Sequence, residues 1–243
     1  MTGPARTLVV IPALNEEAAL PTVLHDLAQT VPDHDVLVVD DGSNDRTVQV
    51  ARRAGVTVAS LPFHLGIGAA LRTGFRYAQR HGYDRVVQFD ADGQHDPDAI
   101  ADLHGALDRG ADMVVGSRFA DTERRYEVGA VRGGAMRLLR FLVHLLSGRR
   151  FTDTSSGFRA FGLPAIELFA RTYPAEYMDS VEALLLGAHA GLSIEEVPTP
   201  MRARAGGEPS TRTWKLVYHY LRVLLVMATT ATLRRPARDA GAR

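Results

Sequence analysis

In the stretch Val86–Pro97, VVQFDADGQHDP, an apolar run breaks into Asp90-Ala91-Asp92. Two carboxylates one residue apart at the end of a strand repel each other, and a hard divalent cation removes that repulsion. Mg2+ and Mn2+ take oxygen ligands, usually one or two carboxylates completed by water and substrate phosphates. Gln94 adds a neutral oxygen at the same spacing, so Asp90, Asp92 and Gln94 are expected to present three oxygens to one ion. Local geometry offers a blander account: a turn at Asp92-Gly93 and a helix cap at Asp96-Pro97. That account explains Gly93 and Pro97 but not an acid directly after the strand.

A second acidic cluster lies in VVDDGSNDRT, Val38–Thr47. Carboxylates at a strand's end can accept hydrogen bonds from a nucleobase N–H or from ribose hydroxyls, and Gly42 permits the tight turn. A capped turn explains the same residues, and the two readings are compatible. Pro12-Ala13-Leu14-Asn15-Glu16 is open in the same way, between nucleotide contact and helix entry. Gly66-Ile67-Gly68-Ala69-Ala70-Leu71 resembles a dinucleotide-binding fingerprint, but it lacks the third glycine and follows the third strand instead of the first. A nicotinamide or flavin enzyme is therefore rejected. No Gly-x-x-x-x-Gly-Lys-Ser/Thr occurs, which excludes a P-loop.

The elements that must position these groups follow from periodicity. Strands are expected at Leu8–Ile11, Val36–Val39, Val56–Ala59, Arg85–Phe89 and Met113–Gly116. Between them, helical spacing covers Glu16–Thr30, Asp45–Ala54 (capped by Asp45 or Ser43), Ile67–Arg80 and Pro97–Asp108. Short apolar runs alternating with amphipathic helices imply an α/β fold with a parallel sheet covered on both faces. Ligands on such sheets bind beyond the carboxyl ends of the strands. Asn15-Glu16, Asp40-Asp41, Asp90/Asp92 and Ser117-Arg118 all sit there. After about Asp121 the character changes. ERRYEVGAVRGG reads as a mobile loop, Met136–Leu146 as a helix, TDTSSGFRAF as unassigned, Asp179–Ala190 as a helix, and SIEEVP as a strand. From Met201 the chain is basic and ends in an apolar helix.

The 243 residues suffice for a sizeable core, and 28 basic against 28 acidic residues give no field that would favour nucleic acid. Without cysteine there are no disulfides, thiolate metal sites or cysteine nucleophiles. The opening MTGPARTLVVIP carries no cleavable signal pattern, so a cytoplasmic protein is expected.

PALNEE, VVDDGSNDRT, GIGAALRTG, FDADGQHDP, GSR and DTSSGFRAF occur in one order over about 150 residues. That order resembles the family 2 inverting glycosyltransferases of GT-A fold, a Rossmann-like, mostly parallel sheet flanked by helices. Within them it looks most like the dolichol- or polyprenyl-phosphate mannosyl- and glucosyltransferase branch. The resemblance spans roughly residues 6–210. It implies a GT-A domain over residues 1–205, with the acceptor side from about 121, followed by a basic, apolar helical tail over 206–243. It also implies a nucleotide-diphosphate sugar as donor and Mg2+ or Mn2+ on Asp90, Asp92 and Gln94. Pro12, Asn15, Glu16, Asp40 and Asp41 match the nucleotide pocket, and Gly66, Asp90, Ala91 and Asp92 complete the nucleotide-sugar side. Arg118 matches an arginine that reaches phosphate oxygens. Ser156, Gly157 and Arg159 match the acceptor-side loop. Arg204 resembles an arginine that closes over donor and acceptor phosphates, a part Arg202 could also play; Pro209 stands where serine is usual in such relatives.

Glycosyl transfer passes through an oxocarbenium-like state, and a cation with arginines stabilises the leaving diphosphate. Asp92, Arg118 and Arg204 are thus the expected catalytic groups. An ionised phosphate acceptor needs no general base; a hydroxyl acceptor does. Asp179 in EYMDSVE, with Glu182 beside it, lies where such a base is found in many relatives. Three functions stay open: hexose transfer from a GDP-mannose or UDP-glucose type of donor to polyprenyl phosphate, the same transfer to a hydroxyl with Asp179 as base, and a silent GT-A binding subunit.

In Met136–Leu146, Arg137, Arg140 and His144 share one stripe among leucine, valine and phenylalanine. Such a helix is either core-buried or lies in a membrane interface with Arg137 near a lipid phosphate. Lys215, His219 and Arg222 repeat the pattern in the tail, whose uninterrupted apolar run after Arg222 is about half a membrane span. The expectation is a peripheral enzyme at the inner face of the cell membrane, without a spanning helix. A homodimer made by the same helices is the alternative.

Overall fold

The computed structural model describes residues 5–120, 130–174 and 179–201; at 130–133, 135–136 and 179 it describes the backbone alone. The chain divides into two units, Met1–Gly207 and Glu208–Arg243. The helix expected in the tail lies outside the described residues.

β-Branched runs form β1 (Thr7–Ala13), β2 (Asp35–Asp40) and β3 (Thr57–Ser60), and the amphipathic segments between them form α1 (Leu20–Thr30) and α2 (Thr47–Arg53). Then come α3 (Ile67–His81), β4 (Arg85–Gln88), a 3-10 turn at Pro97–Ala99, α4 (Ile100–Asp108) and β5 (Met113–Ser117). The remainder is α5 (Ala130–Ser147), β6 (Arg159–Phe161), α6 (Leu163–Thr172), α7 (Asp179–His189) and β7 (Ile194–Pro198). The strands make one seven-stranded sheet in the order β3-β2-β1-β4-β6-β5-β7. All neighbours are parallel except β6, which runs antiparallel to both β4 and β5. The sheet is therefore mostly parallel, as the resemblance implies, with β6 alone departing from a wholly parallel pattern. β6 is only three residues long, too short to show a period.

One face of the sheet packs Val9, Ile11, Val87 and Val114 against Leu20, Val23 and Leu27 of α1 and Ile100 and Leu103 of α4. On the other face Phe161 of β6 meets Phe75 of α3 edge-on at 4.8 Å, and Phe169 of α6 and Tyr173 extend the cluster. α3 lies so close to β1 that a Cβ at Gly74 would come within 2.4 Å of Val10 Cγ1. No helix is expected at α6 from the sequence; Pro164 falls in its first turn, where proline's missing N–H would be unpaired in any case.

α5 starts at Ala130, inside the stretch read as a loop. Gly133 and Gly134 weaken a helix by about 1 kcal/mol each, which is why that stretch looks irregular. Burial of Leu139 and Val143 anchors the helix, and propagation is cheap once a helix is nucleated. Leu138, Phe141 and Leu145 on the same helix are exposed, so α5 is neither wholly buried nor an ordinary polar surface helix.

Candidate active site

The carboxyl ends of β1, β2, β4 and β5 open on the same edge of the sheet, and the loops that follow β1 and β2 are tied to each other. Asn15 adopts the left-handed conformation, with φ of 56°. Its backbone N–H donates to Ser43 Oγ at 2.9 Å, and its Oδ1 accepts from Asn44 N–H at 2.9 Å. Glu16 N–H donates to Thr47 Oγ1 at 2.8 Å, and Asp45 caps the start of α2 by accepting from Thr47 N–H at 2.9 Å. Pro12, the last residue but one of β1, lies beside Val39 of β2.

Asp40 and Asp41 are both buried but have different jobs. Asp40 Oδ1 accepts from Ser43 N–H at 3.2 Å, closing its own turn. Asp41 reaches forward instead: it accepts from Leu65 N–H at 2.7 Å and Gly66 N–H at 2.9 Å, and pairs with His64 Nδ1 at 2.7 Å. Both of its oxygens thus anchor the loop that enters α3, a role the sequence did not indicate. Gly42 is needed here twice over. Its φ is 81°, and a Cβ would come within 2.8 Å of His64 N.

After β4, Asp92 Oδ1 accepts from Gln94 N–H at 3.0 Å across Gly93, whose φ is 75°. The turn read in the sequence therefore coexists with the carboxylate pair. Ala91 between them is buried. Asp90 keeps about a third of its side chain open, 32%. Its pKa is raised, because burial and the neighbouring Asp92 oppose its charge more strongly than His95, Arg118 and Arg159 support it. Opposite it stands Gly157, where a Cβ would lie 2.7 Å from Asp90 Oδ2. Among the described residues no three His, Cys, Asp or Glu side chains converge as a metal cage. Two neighbouring carboxylates form an oxygen-only, incomplete donor set. Such a set suits Mg2+ or Mn2+, which retain water and substrate phosphate oxygens, and does not suit a structural zinc site.

Within electrostatic reach of Asp90, Arg118 leaves β5 and is gripped by Asp153. Arg118 Nε donates to Asp153 Oδ2 at 2.6 Å, and its Nη2 donates to Oδ1 at 2.8 Å and to Ser155 Oγ at 2.7 Å. Asp153 is fully buried. Burial alone would raise its pKa, but the hydrogen bonds and charge of Arg118, with Ser155 N–H, outweigh that and hold it low. Glu196 on β7 in turn accepts from Thr152 N–H at 2.7 Å and Asp153 N–H at 2.8 Å, fixing the backbone beneath the pair. The Phe119 ring carries two guanidinium groups, Arg118 at 5.4 Å and Arg140 of α5 at 5.3 Å. Arg137, the residue expected on this side, is exposed one turn earlier on α5.

Ser156 is buried and accepts from Phe158 N–H at 3.2 Å. Arg159, expected to meet an acceptor phosphate, is fully enclosed in β6. Its Nε donates to Ser156 O at 2.9 Å, and its side chain shares a face with Gln88, its partner in register. Its charge nevertheless reaches Asp90. Asp179 opens α7, but its side chain lies outside the described residues, as do Arg202 and Arg204.

A family model described as "Glycosyl transferase family 2" matches residues 8–166 of the chain. The chain is 35% identical to undecaprenyl-phosphate mannosyltransferase of Micrococcus luteus over 84% of its own length and 86% of that protein. It is 32% identical to polyprenol monophosphomannose synthase of Mycolicibacterium smegmatis, over 83% of this chain and 79% of the other. It is 31% identical to a UDP-N-acetylglucosamine–dolichyl-phosphate N-acetylglucosaminyltransferase of Methanococcus voltae, over 78% and 83%. Among solved structures, glucosyl-3-phosphoglycerate synthase of Mycobacterium tuberculosis with Mn2+, UDP and phosphoglyceric acid superposes with a TM-score of 0.71. It is 23% identical, and the match covers 98% of this chain and 81% of that one.

Proposed function

The chain belongs to glycosyl transferase family 2, and on that premise we propose that it moves a hexose from a nucleotide-diphosphate sugar to a polyprenyl phosphate, with a divalent cation bound at Asp90 and Asp92. That it is a glycosyltransferase of GT-A fold follows from the family and from the structural likeness. The observation that carries the rest is the meeting of opposite charges at one edge of the sheet, where Arg118 acts on Asp90. An incomplete carboxylate set stands at the end of β4, and an arginine held at two points stands at the end of β5. An acidic pair needs a cation, a cation with open positions needs phosphate oxygens, and the arginine is a second phosphate ligand. Relatives named for undecaprenyl, polyprenol and dolichyl phosphates support the lipid phosphate as acceptor.

In the proposed reaction an acceptor phosphate oxygen attacks the anomeric carbon. The bond from that carbon to the donor's diphosphate oxygen breaks, and the configuration inverts. A phosphate acceptor is already ionised near neutral pH, so no side chain must remove a proton. A bound cation would supply charge neutralisation for the leaving diphosphate. Asn15, Glu16 and Asp40 would border the nucleoside, with Gly66 placed beside them by Asp41. Arg118 would hold phosphate oxygens, oriented by Asp153. Arg202 and Arg204 are proposed to close over the same phosphates. The exposed stripe Leu138, Phe141 and Leu145 is proposed to rest on the membrane surface where the lipid acceptor resides. No helix among the described residues is long and apolar enough to cross a membrane.

The test is transfer of label from GDP-mannose, UDP-glucose and UDP-N-acetylglucosamine to undecaprenyl phosphate in detergent, with Mn2+ or with EDTA. Cation-dependent label in the organic phase from one donor is the expected result. Label that appears only on a water-soluble hydroxyl acceptor overturns the lipid phosphate, and no transfer by folded protein from any donor overturns the enzyme.

A further inference from the structure

His95 sits directly under the carboxylate pair, five residues beyond Asp90, and touches Asp90 twice. The backbone N–H of Asp90 donates to His95 Nδ1 at 3.1 Å. The other ring nitrogen, Nε2, lies 3.4 Å from Asp90 Oδ2. A backbone N–H can only donate, so Nδ1 carries the lone pair and the ring proton is on Nε2, the nitrogen beside the carboxylate oxygen. The ring has little freedom to turn away. It is buried, stacked on Phe158 at 4.9 Å and met edge-on by Phe89 at 5.3 Å. On the other side of the same carboxylate stands Gly157, with room for nothing larger than hydrogen. Asp90 Oδ2 is thus bracketed by an imidazole N–H and a glycine backbone, while Asp92 is held separately by its own turn through Gln94 N–H.

We propose that His95 is a positioning residue that sets the rotamer of Asp90 and with it the distance between the two carboxylates that bind the cation. This rests on the reading of Asp90 and Asp92 as cation ligands. An ion with strict octahedral demands is sensitive to where each oxygen lies, and a ligand's hydrogen-bonded partner normally fixes that place. His95 does this from both ends of one residue, tying backbone and side chain of Asp90 to a single rigid ring. The aromatic box of Phe89 and Phe158 keeps that ring in plane. His95 would touch neither sugar nor phosphate; its effect passes through Asp90.

The experiment uses the full chain and reads Mn2+ binding by electron paramagnetic resonance with UDP or GDP present, beside thermal unfolding without metal. His95→Phe preserves the aromatic stack and removes both polar contacts. His95→Asn retains an acceptor near Nδ1 without the Nε2–H, and His95→Gln retains a donor near Nε2. Asp92→Asn serves as the control for the cation site itself. Expected are Mn2+ affinity about 10- to 100-fold weaker in His95→Phe, partial recovery in His95→Gln, and metal-free binding of nucleotide unchanged. If His95→Phe does not fold, His95→Asn carries the test, because it keeps the bond to the Asp90 backbone and loses only the contact with the carboxylate. Wild-type Mn2+ affinity in the folded histidine variants, with affinity lost in Asp92→Asn, overturns the positioning role and leaves the cation site standing. Mn2+ affinity unchanged in Asp92→Asn as well, or absent from the wild type, overturns the cation site and the positioning role with it.

Discussion

Arg118 and Asp153, 35 residues apart, meet in a two-point ion pair with N–O distances of 2.6 and 2.8 Å. The acid is fully buried, while the arginine keeps some exposure toward the cleft. A guanidinium fixed at two points by a buried acid is held in one orientation, and an arginine so held is pre-organised. Asp153→Ala is expected to destabilise the fold by about 3 kcal/mol, because removal of one partner leaves a partly desolvated charge behind. Denaturant midpoints measure that loss. Transfer activity should fall further than the unfolded fraction accounts for, and Arg118→Lys should lower activity with a smaller change in stability.

Gly157→Ala tests the wall opposite His95. Its Cβ would lie 2.7 Å from Asp90 Oδ2, so the carboxylate must move. The expected outcome is at least a tenfold weaker activation by Mn2+, in line with the usual cost of disturbing a ligand's surroundings. Thermal stability should change little, because the displaced group is a partly exposed side chain. Titration of activity against Mn2+ separates a metal effect, which high Mn2+ relieves, from a general loss.

Gly74→Ala tests the packing of α3 on β1, far from any chemistry. The methyl would meet Val10 Cγ1 at 2.4 Å inside the core, where neighbours cannot yield freely. Overpacking of this kind costs about 1–3 kcal/mol, and more if the helix must shift bodily. Unfolding by urea should show the loss with donor affinity per folded molecule preserved.

His104 supplies a pH dependence of stability unrelated to the cleft. Its Nε2 lies 2.9 Å from His34 Nε2, with Arg85 Nη1 at 3.4 Å from its other nitrogen. Arg85 also pairs with Asp108. Burial, then the charges of His34 and Arg85, lower its pKa from 6.5 to about 4, with Asp108 opposing. The fold thus favours the neutral ring. Its stabilising contribution is complete above pH 6.5 and is lost as pH falls from there through about 4, since only the unfolded chain takes up the proton readily in that window. The loss should be on the order of 2 kcal/mol after allowance for partial exposure. His104→Gln should flatten the stability profile between those limits, as followed by denaturant midpoints at successive pH values.

The amino-acid sequence by itself determined the local periodicities and the chemistry at strand ends. β1 to β5 and α1 to α4 are legible because each buries a run or stripe whose period shows in a few residues. Asp90 and Asp92 are legible because two acids after an apolar run defy a purely local account. What the tertiary structure decided depends on partners distant in the chain. β6 exists because Arg159–Phe161 fills the gap between β4 and β5, and three residues have no period to read. α6 is held by the aromatic cluster around Phe75, a set of contacts with residues about 90 positions away along the chain. Asp41 matches a nucleotide pocket in sequence, and only the fold shows that His64, Leu65 and Gly66, 23–25 residues away, hydrogen-bond to its carboxylate. Arg159 matches an acceptor-side loop in its motif, yet strand pairing on both sides encloses it. The sequence shows which groups can do chemistry. Which of them face the cleft and which brace it is set by contacts across the sheet, because burial and hydrogen bonding are properties of neighbours in space and not of neighbours along the chain.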